Sequence, residues 1–188
     1  MQNEFNKYYK GLTTACFFML FLGCNKPNAE VSKPSDLLPP GIEIAPLEFE
    51  KKAENSMLLW SQFKFDEWGK MLSDSVVFAL PDGNSQTRTK IKGRDAVVNW
   101  WKNWQQTSGI QSMTLTPFNS VPINTFKPLH DGYPSGVSVF SYFDNTLVFK
   151  HDTASMRMNF VVFFDQQKLV SAYFTYFDYG LVKEAEGK

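Results

Sequence analysis

Cysteine is nearly missing from this chain. Its 188 residues hold only Cys16 and Cys24, so nothing after residue 24 can form an internal disulfide, act as a thiol nucleophile or build a cysteine metal site. Histidine is as scarce: His130 falls in a loop-like stretch and His151 at a strand end, without ligand spacing, and no metal is expected. A charge excess of either sign is also lacking, with 19 Lys+Arg against 19 Asp+Glu. With no basic stripe either, nucleic acid is not an expected partner. The apolar segment Leu12–Leu22 is shorter than the roughly 20 residues a membrane-spanning helix needs. A nucleophile elbow, a phosphate-cradling glycine loop and a metalloprotease helix are all missing, and no cofactor is expected.

Large apolar side chains are what the chain has. Hydrophobic residues make up 43% and aromatic residues 16% of the sequence, which excludes a disordered chain and calls for a large core. The clearest pattern is Ser155–Asp178, two alternating runs joined by Asp165-Gln166-Gln167-Lys168. In the first, Met156, Met158, Phe160, Val162 and Phe164 share one face, with Arg157, Asn159, Val161 and Phe163 opposite. In the second, Val170, Ala172, Phe174, Tyr176 and Asp178 share a face, opposite Tyr173, Thr175 and Phe177. Both faces carry bulky groups, so both are expected to meet something other than water.

Lys7 and Lys10 precede the apolar segment, and Gly23 stands before Cys24. A basic start, a short apolar middle and a small residue before the cut describe a secretory signal. The run Leu20-Phe21-Leu22-Gly23-Cys24 resembles the bacterial lipobox, with Phe21 where Leu is usual. The resemblance implies removal of residues 1–23, lipidation of Cys24, and a protein anchored to a membrane of the bacterial cell envelope. Cys24→Ala should then leave the protein in the soluble fraction after cell fractionation. Residues 24–46, with Pro27, Pro34, Pro39, Pro40 and Pro46, read as a tether.

Helical spacing begins at Phe49, Ala53, Met57 and Trp60, and Phe65, Trp68 and Leu72 continue it as a second short helix. Ser75–Leu80 reads as a strand stopped by Pro81-Asp82-Gly83-Asn84, and Gln86–Lys92, with alternating Arg88, Lys90 and Lys92, as a solvated edge strand. Gly93-Arg94-Asp95 opens an amphipathic helix with Val97, Trp100, Trp101 and Trp104 on one side. Burying its three tryptophans is worth roughly 2–3 kcal/mol each. Strands only follow: a long run from Ile110 to Phe126 broken by Pro117 and Pro122, a loop over 127–135, a strand from Gly136 to Lys150, and the hairpin. The expected class is α+β, order ααββαββββ, with a curved antiparallel (mixed) sheet wrapped around the N-terminal helices as a cone-shaped α+β barrel. The domain is expected over 47–182, with a polar tail at 183–188.

This order resembles the nuclear transport factor 2-like superfamily, and within it the SnoaL-like domains. The resemblance is carried by Phe65–Leu80, Lys92–Trp101 and Asp165–Asp178, and spans about Leu47 to Leu181. The glycine usual in the last hairpin is replaced here by Gln166-Gln167, which points to another turn type. Ketosteroid isomerases of the superfamily carry a carboxylate base near the end of the first strand and an acid on the fifth. Here those places hold Ala79 and Leu80, and Asn159 or Phe160, so the resemblance does not extend to that chemistry. SnoaL-type cyclases use a single cavity carboxylate. The candidates are Asp178 and Asp144, whose pKa desolvation among rings would raise toward proton transfer near neutrality. The alternatives are a strand-end cap for Asp178 and a turn residue for Asp144.

Trp60, Trp68, Trp101, Tyr142, Phe174 and Tyr176 are the rings expected to line an open cone, with Asp178 as the polar group of its wall. Arg157 and Asn159 are either a cavity pair for a carboxylate or carbonyl or residues of an outer face. Three functions remain open: a tethered module binding a small apolar or aromatic ligand in its cone, which is preferred; a cyclase or isomerase using Asp178 or Asp144; and an interaction protein with a filled cone that forms a homodimer through its outer sheet face.

Overall fold

The computed structural model describes residues 38–188, apart from 85, 130–132 and 188. The expected signal segment, Cys24, most of the expected tether and His130 lie outside the described residues. The elements run β1 (Ile42–Ile44), α1 (Glu48–Ser61), α2 (Phe65–Gly69), β2 (Leu72–Ala79), β3 (Lys90–Lys92), α3 (Arg94–Thr107), β4 (Ile110–Leu115), β5 (Asn119–Thr125), β6 (Gly136–Phe149), β7 (Thr153–Phe164), β8 (Val170–Tyr176) and α4 (Tyr179–Ala185). The α+β class and the curved, mixed sheet are as expected. The order differs at both ends. β1 forms within the proline-rich stretch by pairing with β5, and α4 starts inside the expected domain at Tyr179 and runs into the supposed tail as far as Ala185. The run from Ile110 is two strands, because Thr116-Pro117-Phe118 breaks it. The solvated edge reduces to the three residues of β3.

The strands form one sheet in the order β1-β5-β6-β7-β8-β2-β3, with β4 also on β6. β2 and β8 are parallel, and the other pairs are antiparallel. β6 is long enough to serve two neighbours in succession: Gly136–Tyr142 pairs with β5, and Asn145–Phe149 with β4. The change of partner is held at Asp144, whose carbonyl accepts from Thr116 N at 2.9 Å and whose N–H donates to Thr116 Oγ1 at 2.8 Å.

Period and packing agree in the helices. Phe49, Ala53, Met57 and Trp60 of α1 are buried, as are Val97, Trp101 and Trp104 of α3. Gly93, with φ of 93°, turns the chain from β3 into α3 while its N–H donates to Val76 O at 2.8 Å; that backbone conformation favours glycine. In the β7–β8 hairpin the positive φ usually given to glycine falls on Lys168, at 61°. Asp165 makes this possible: its Oδ1 accepts from Gln167 N and Leu169 N at 2.9 Å each. Lys168 Nζ in turn reaches Glu48 Oε1 at 2.6 Å.

A register shift beside Ser171 decides which way β8 faces. Phe164 pairs with Val170 and Phe163 with Ala172, so Ser171 is an extra residue. Such a bulge reverses the alternation beyond it. Val170 therefore joins the core on the helix side, while Ala172, Phe174 and Tyr176 lie on the outer face with Val161.

Candidate functional site

The helix side of the sheet is filled with rings. Phe160 meets Trp60 at 5.5 Å and Phe143 at 5.3 Å, and Phe78 meets Trp101 at 5.2 Å and Tyr173 at 5.1 Å between centroids. At the tryptophan-rich end, the space bordered by Trp60, Trp101, Trp104, Met158, Phe177 and Val182 amounts to about 20 Å³, roughly the room of one water molecule. α4 closes this end: Val182 is buried, and Trp104 Nε1 donates to Glu186 Oε1 at 2.6 Å. The cone is thus occupied by its own side chains.

Its polar content is equally limiting. Among the described residues the buried polar side chains, tyrosine apart, are serine, threonine and asparagine, with no carboxylate, imidazole or cation. A fully buried polar cluster joins Ser56, Trp68 and Tyr173, and a half-buried one links Ser141 through Ser120 to Glu54 Oε1, at 3.0 Å for each bond. Trp68 Nε1 donates to Ser56 Oγ at 3.1 Å and to the Tyr173 hydroxyl at 3.0 Å, and the two hydroxyls bond to each other. Burial pushes the Tyr173 pKa up to about 12, opposed by the bonds from Ser56 and Trp68. A neutral phenol so tied, with no acid within the core, closes a polar gap and offers no base. Among the described residues, no three His, Cys, Asp or Glu side chains converge as a metal site.

The two candidate acids are elsewhere. Asp178 is exposed and caps α4, its Oδ1 accepting from Gly180 N at 2.9 Å. It orients the helix that closes the cone and does not point into it. Asp144 is on the outer face beside Arg157, Oδ1 to Nε at 3.9 Å, with side-chain exposures of 59% and 96%. A pair this exposed contributes about 0–1 kcal/mol.

The rings expected to line one cavity are divided between two faces. Trp60, Trp68 and Trp101 belong to the filled core. Tyr142, Phe174 and Tyr176 lie outside, together with Asn159: Phe174 and Tyr176 because the Ser171 bulge turns β8 over, and Tyr142 and Asn159 as cross-strand partners alternating with the buried Phe143 and Phe160. Outside they do meet a cavity, a groove of about 630 Å³. Its floor is Phe140, Val161 and Phe174, extended by Tyr142, Asn159 and Tyr176. One wall is the turn from Pro81 to Asn84 with Arg88 and Lys90, and the other is Leu129 and Tyr133. Tyr133 stacks on Phe174 at 4.4 Å and 21°. Tyr142 and Tyr176 remain 57% and 41% exposed.

Arg88 fixes the wall to the floor. Its Nε donates to Leu80 O and its Nη2 to Thr175 O, and its guanidinium lies 4.7 Å above the Tyr176 ring and 5.9 Å from that of Phe174. Asp82 Oδ1 accepts from Thr89 N at 2.9 Å and Oδ2 from Thr89 Oγ1 at 2.6 Å. Burial alone would raise the Asp82 pKa, but those bonds and nearby Arg88 outweigh it and hold it below the usual value. Arg88 and Lys90 stand out in the sequence only as an alternating basic edge, and Tyr133, from an aperiodic loop, carries no pattern at all.

Comparison with solved structures decides the fold. A nuclear transport factor 2-like protein of unknown function from Burkholderia pseudomallei superposes with a TM-score of 0.57 at 15% identity, covering 74% of this chain and 98% of the other. The chain has the nuclear transport factor 2-like fold. Proteins described as a polyketide cyclase from Xanthomonas campestris and a SnoaL-like polyketide cyclase from Shewanella denitrificans each give 0.53, at 10% and 11% identity. They cover 70% and 74% of this chain, and 91% and 97% of their own. No family model and no curated protein matches the sequence. Within this nuclear transport factor 2-like domain, the Phe65–Leu80, Lys92–Trp101 and Asp165–Asp178 stretches form α2–β2, the start of α3 and the last hairpin.

Proposed function

We propose that this is a non-catalytic binding module, held at a bacterial envelope membrane by a lipid on Cys24, whose ligand lies in the groove on the outer face of the sheet. The observation that carries the reading is the contrast between the faces. The cone leaves about 20 Å³, whereas the outer groove has about 630 Å³ and two exposed tyrosines. The larger volume is in the range of small-molecule sites, which run from roughly 300 to 1,000 Å³. The ligand class stays that of an apolar or aromatic molecule, moved from the inside of the sheet to the outside. A cyclase reading has little support, since Asp178 is spent on a helix cap and Asp144 on an exposed ion pair.

Titration of the purified protein with 2-naphthalenemethanol tests this. The Tyr142→Ser/Tyr176→Ser double variant should bind it about tenfold more weakly, the effect expected from losing ring contacts, with unchanged thermal stability. Unchanged binding in that variant would sink the outer-face reading. A second copy of the chain is the other occupant this face could take, because Val121 is exposed on it as well. A dimer by sedimentation that dissociates in the double variant, with no naphthalenemethanol bound by either protein, would replace the ligand by that partner.

A further inference from the structure

We propose that the ligand of the outer groove is a carboxylate on a planar aromatic body, its anionic head held by Arg88 and Lys90. The proposal rests on the outer-face reading and adds the chemistry of one end of the groove. The ion pairs among the described residues are Arg94–Asp74, Lys102–Asp66, Arg157–Asp144 and Lys168–Glu48. Arg88 and Lys90 are in none of them. The acceptors of Arg88 are the backbone carbonyls of Leu80 and Thr175, which engage Nε and Nη2 and neutralise no charge. Nη1 is left with donors, and the guanidinium is held in place by those carbonyls and by the rings of Tyr176 and Phe174.

Lys90 is beside it in the same wall, exposed, on the strand position paired with Ala79. The lining holds one acid, Asp82, and both its oxygens already accept from Thr89. One end of the groove is therefore net cationic, with a preformed donor, and the floor is flat and aromatic. A forked guanidinium suits a carboxylate, and the rings suit a planar body lying on them. A cationic ligand would meet two like charges, and a neutral one would forgo the charge-assisted bond that Arg88 can donate.

The test compares two probes of one shape, 2-naphthoate and 2-naphthalenemethanol, by calorimetry on the purified protein. The acid should bind at least about tenfold more tightly than the alcohol in dilute buffer, as a charge-assisted hydrogen bond provides. That advantage should shrink as salt is raised, while alcohol binding stays constant. Lys90→Gln should reduce the advantage severalfold and Lys90→Glu should abolish it; both changes are on an exposed strand position without a hydrogen bond to lose. Arg88→Gln would also free the carbonyls of Leu80 and Thr175 and loosen the wall. Arg88→Lys is therefore the second variant, expected to keep part of the salt dependence but to bind the acid more weakly through loss of the fork. Equal affinity for acid and alcohol, or a preference unmoved by Lys90→Glu, would overturn the anionic head and leave the outer-face reading standing. Binding of neither probe would overturn both.

Discussion

Phe160→Ala is expected to cost about 3–5 kcal/mol of folding stability, the range for truncating a large buried aromatic side chain. Phe160 is 1% exposed, within the core on the helix side of the sheet. Trp60 from α1, Phe78 from β2, Phe143 from β6 and Phe177 beyond β8 all pack on its ring, at centroid distances of 5.5, 6.3, 5.3 and 6.3 Å. These neighbours come from separate elements and are themselves held by other rings, so they are poorly placed to collapse into the gap. Chemical denaturation should show the midpoint falling with the slope unchanged. A loss under about 1 kcal/mol would mean that the interior re-forms freely, contrary to a close-packed core. The void would also be apolar, and benzene should restore part of the loss, as ligand binding to the folded state requires. In effect the variant would reopen the cone that the natural sequence has filled.

The second large effect is at high pH. Tyr173 has a folded pKa of about 12, against an ordinary value of 10.0. Its hydroxyl therefore stays protonated in the folded protein at pH values where the unfolded chain loses the proton. The associated stability is fully present below pH 10 and disappears as pH rises through 12, by roughly 2–3 kcal/mol in total. Tyr173→Phe should cost about 1 kcal/mol at pH 7, since the hydroxyl bonds to Ser56 and Trp68 are lost while those two groups keep each other. Between pH 10 and 12 the variant should lose less stability than the parent, so the two curves should cross and the variant should be the more stable by about 1–2 kcal/mol near pH 12. Contributions common to both proteins cancel in the difference. Parallel curves across that interval would show that the phenol is not the group responsible.

What could be read in the sequence follows from how locally each feature is determined. The burial of α3 depends on Val97, Trp101 and Trp104 recurring at helical spacing, and β7 on strict alternation, so both were legible. The face of Phe174 and Tyr176 was not, because it depends on one extra residue at Ser171 whose placement is set by pairing with β7. α4 was hidden by its length of seven residues, too short for a periodic signal; only Asp178 marked its start, and a carboxylate at a strand end invites a catalytic reading as readily as a capping one. β1 was hidden among prolines and exists through its partner β5. The groove was least legible of all, since it joins a turn, two tyrosines from different strands and a loop residue, Tyr133, that share no sequence pattern.

The closure of the cone by α4 has a consequence for the order in which the protein can be made. Tyr179–Ala185 follows all eight strands in the chain, so the end of the core around Trp60, Trp101 and Trp104 has no cover until that helix has emerged from the ribosome. A nascent chain halted before Val182 would hold a nearly complete sheet with its tryptophans open to water, the kind of surface that recruits chaperones or aggregates. Completion of the interior is thus postponed until after the last strand has been made.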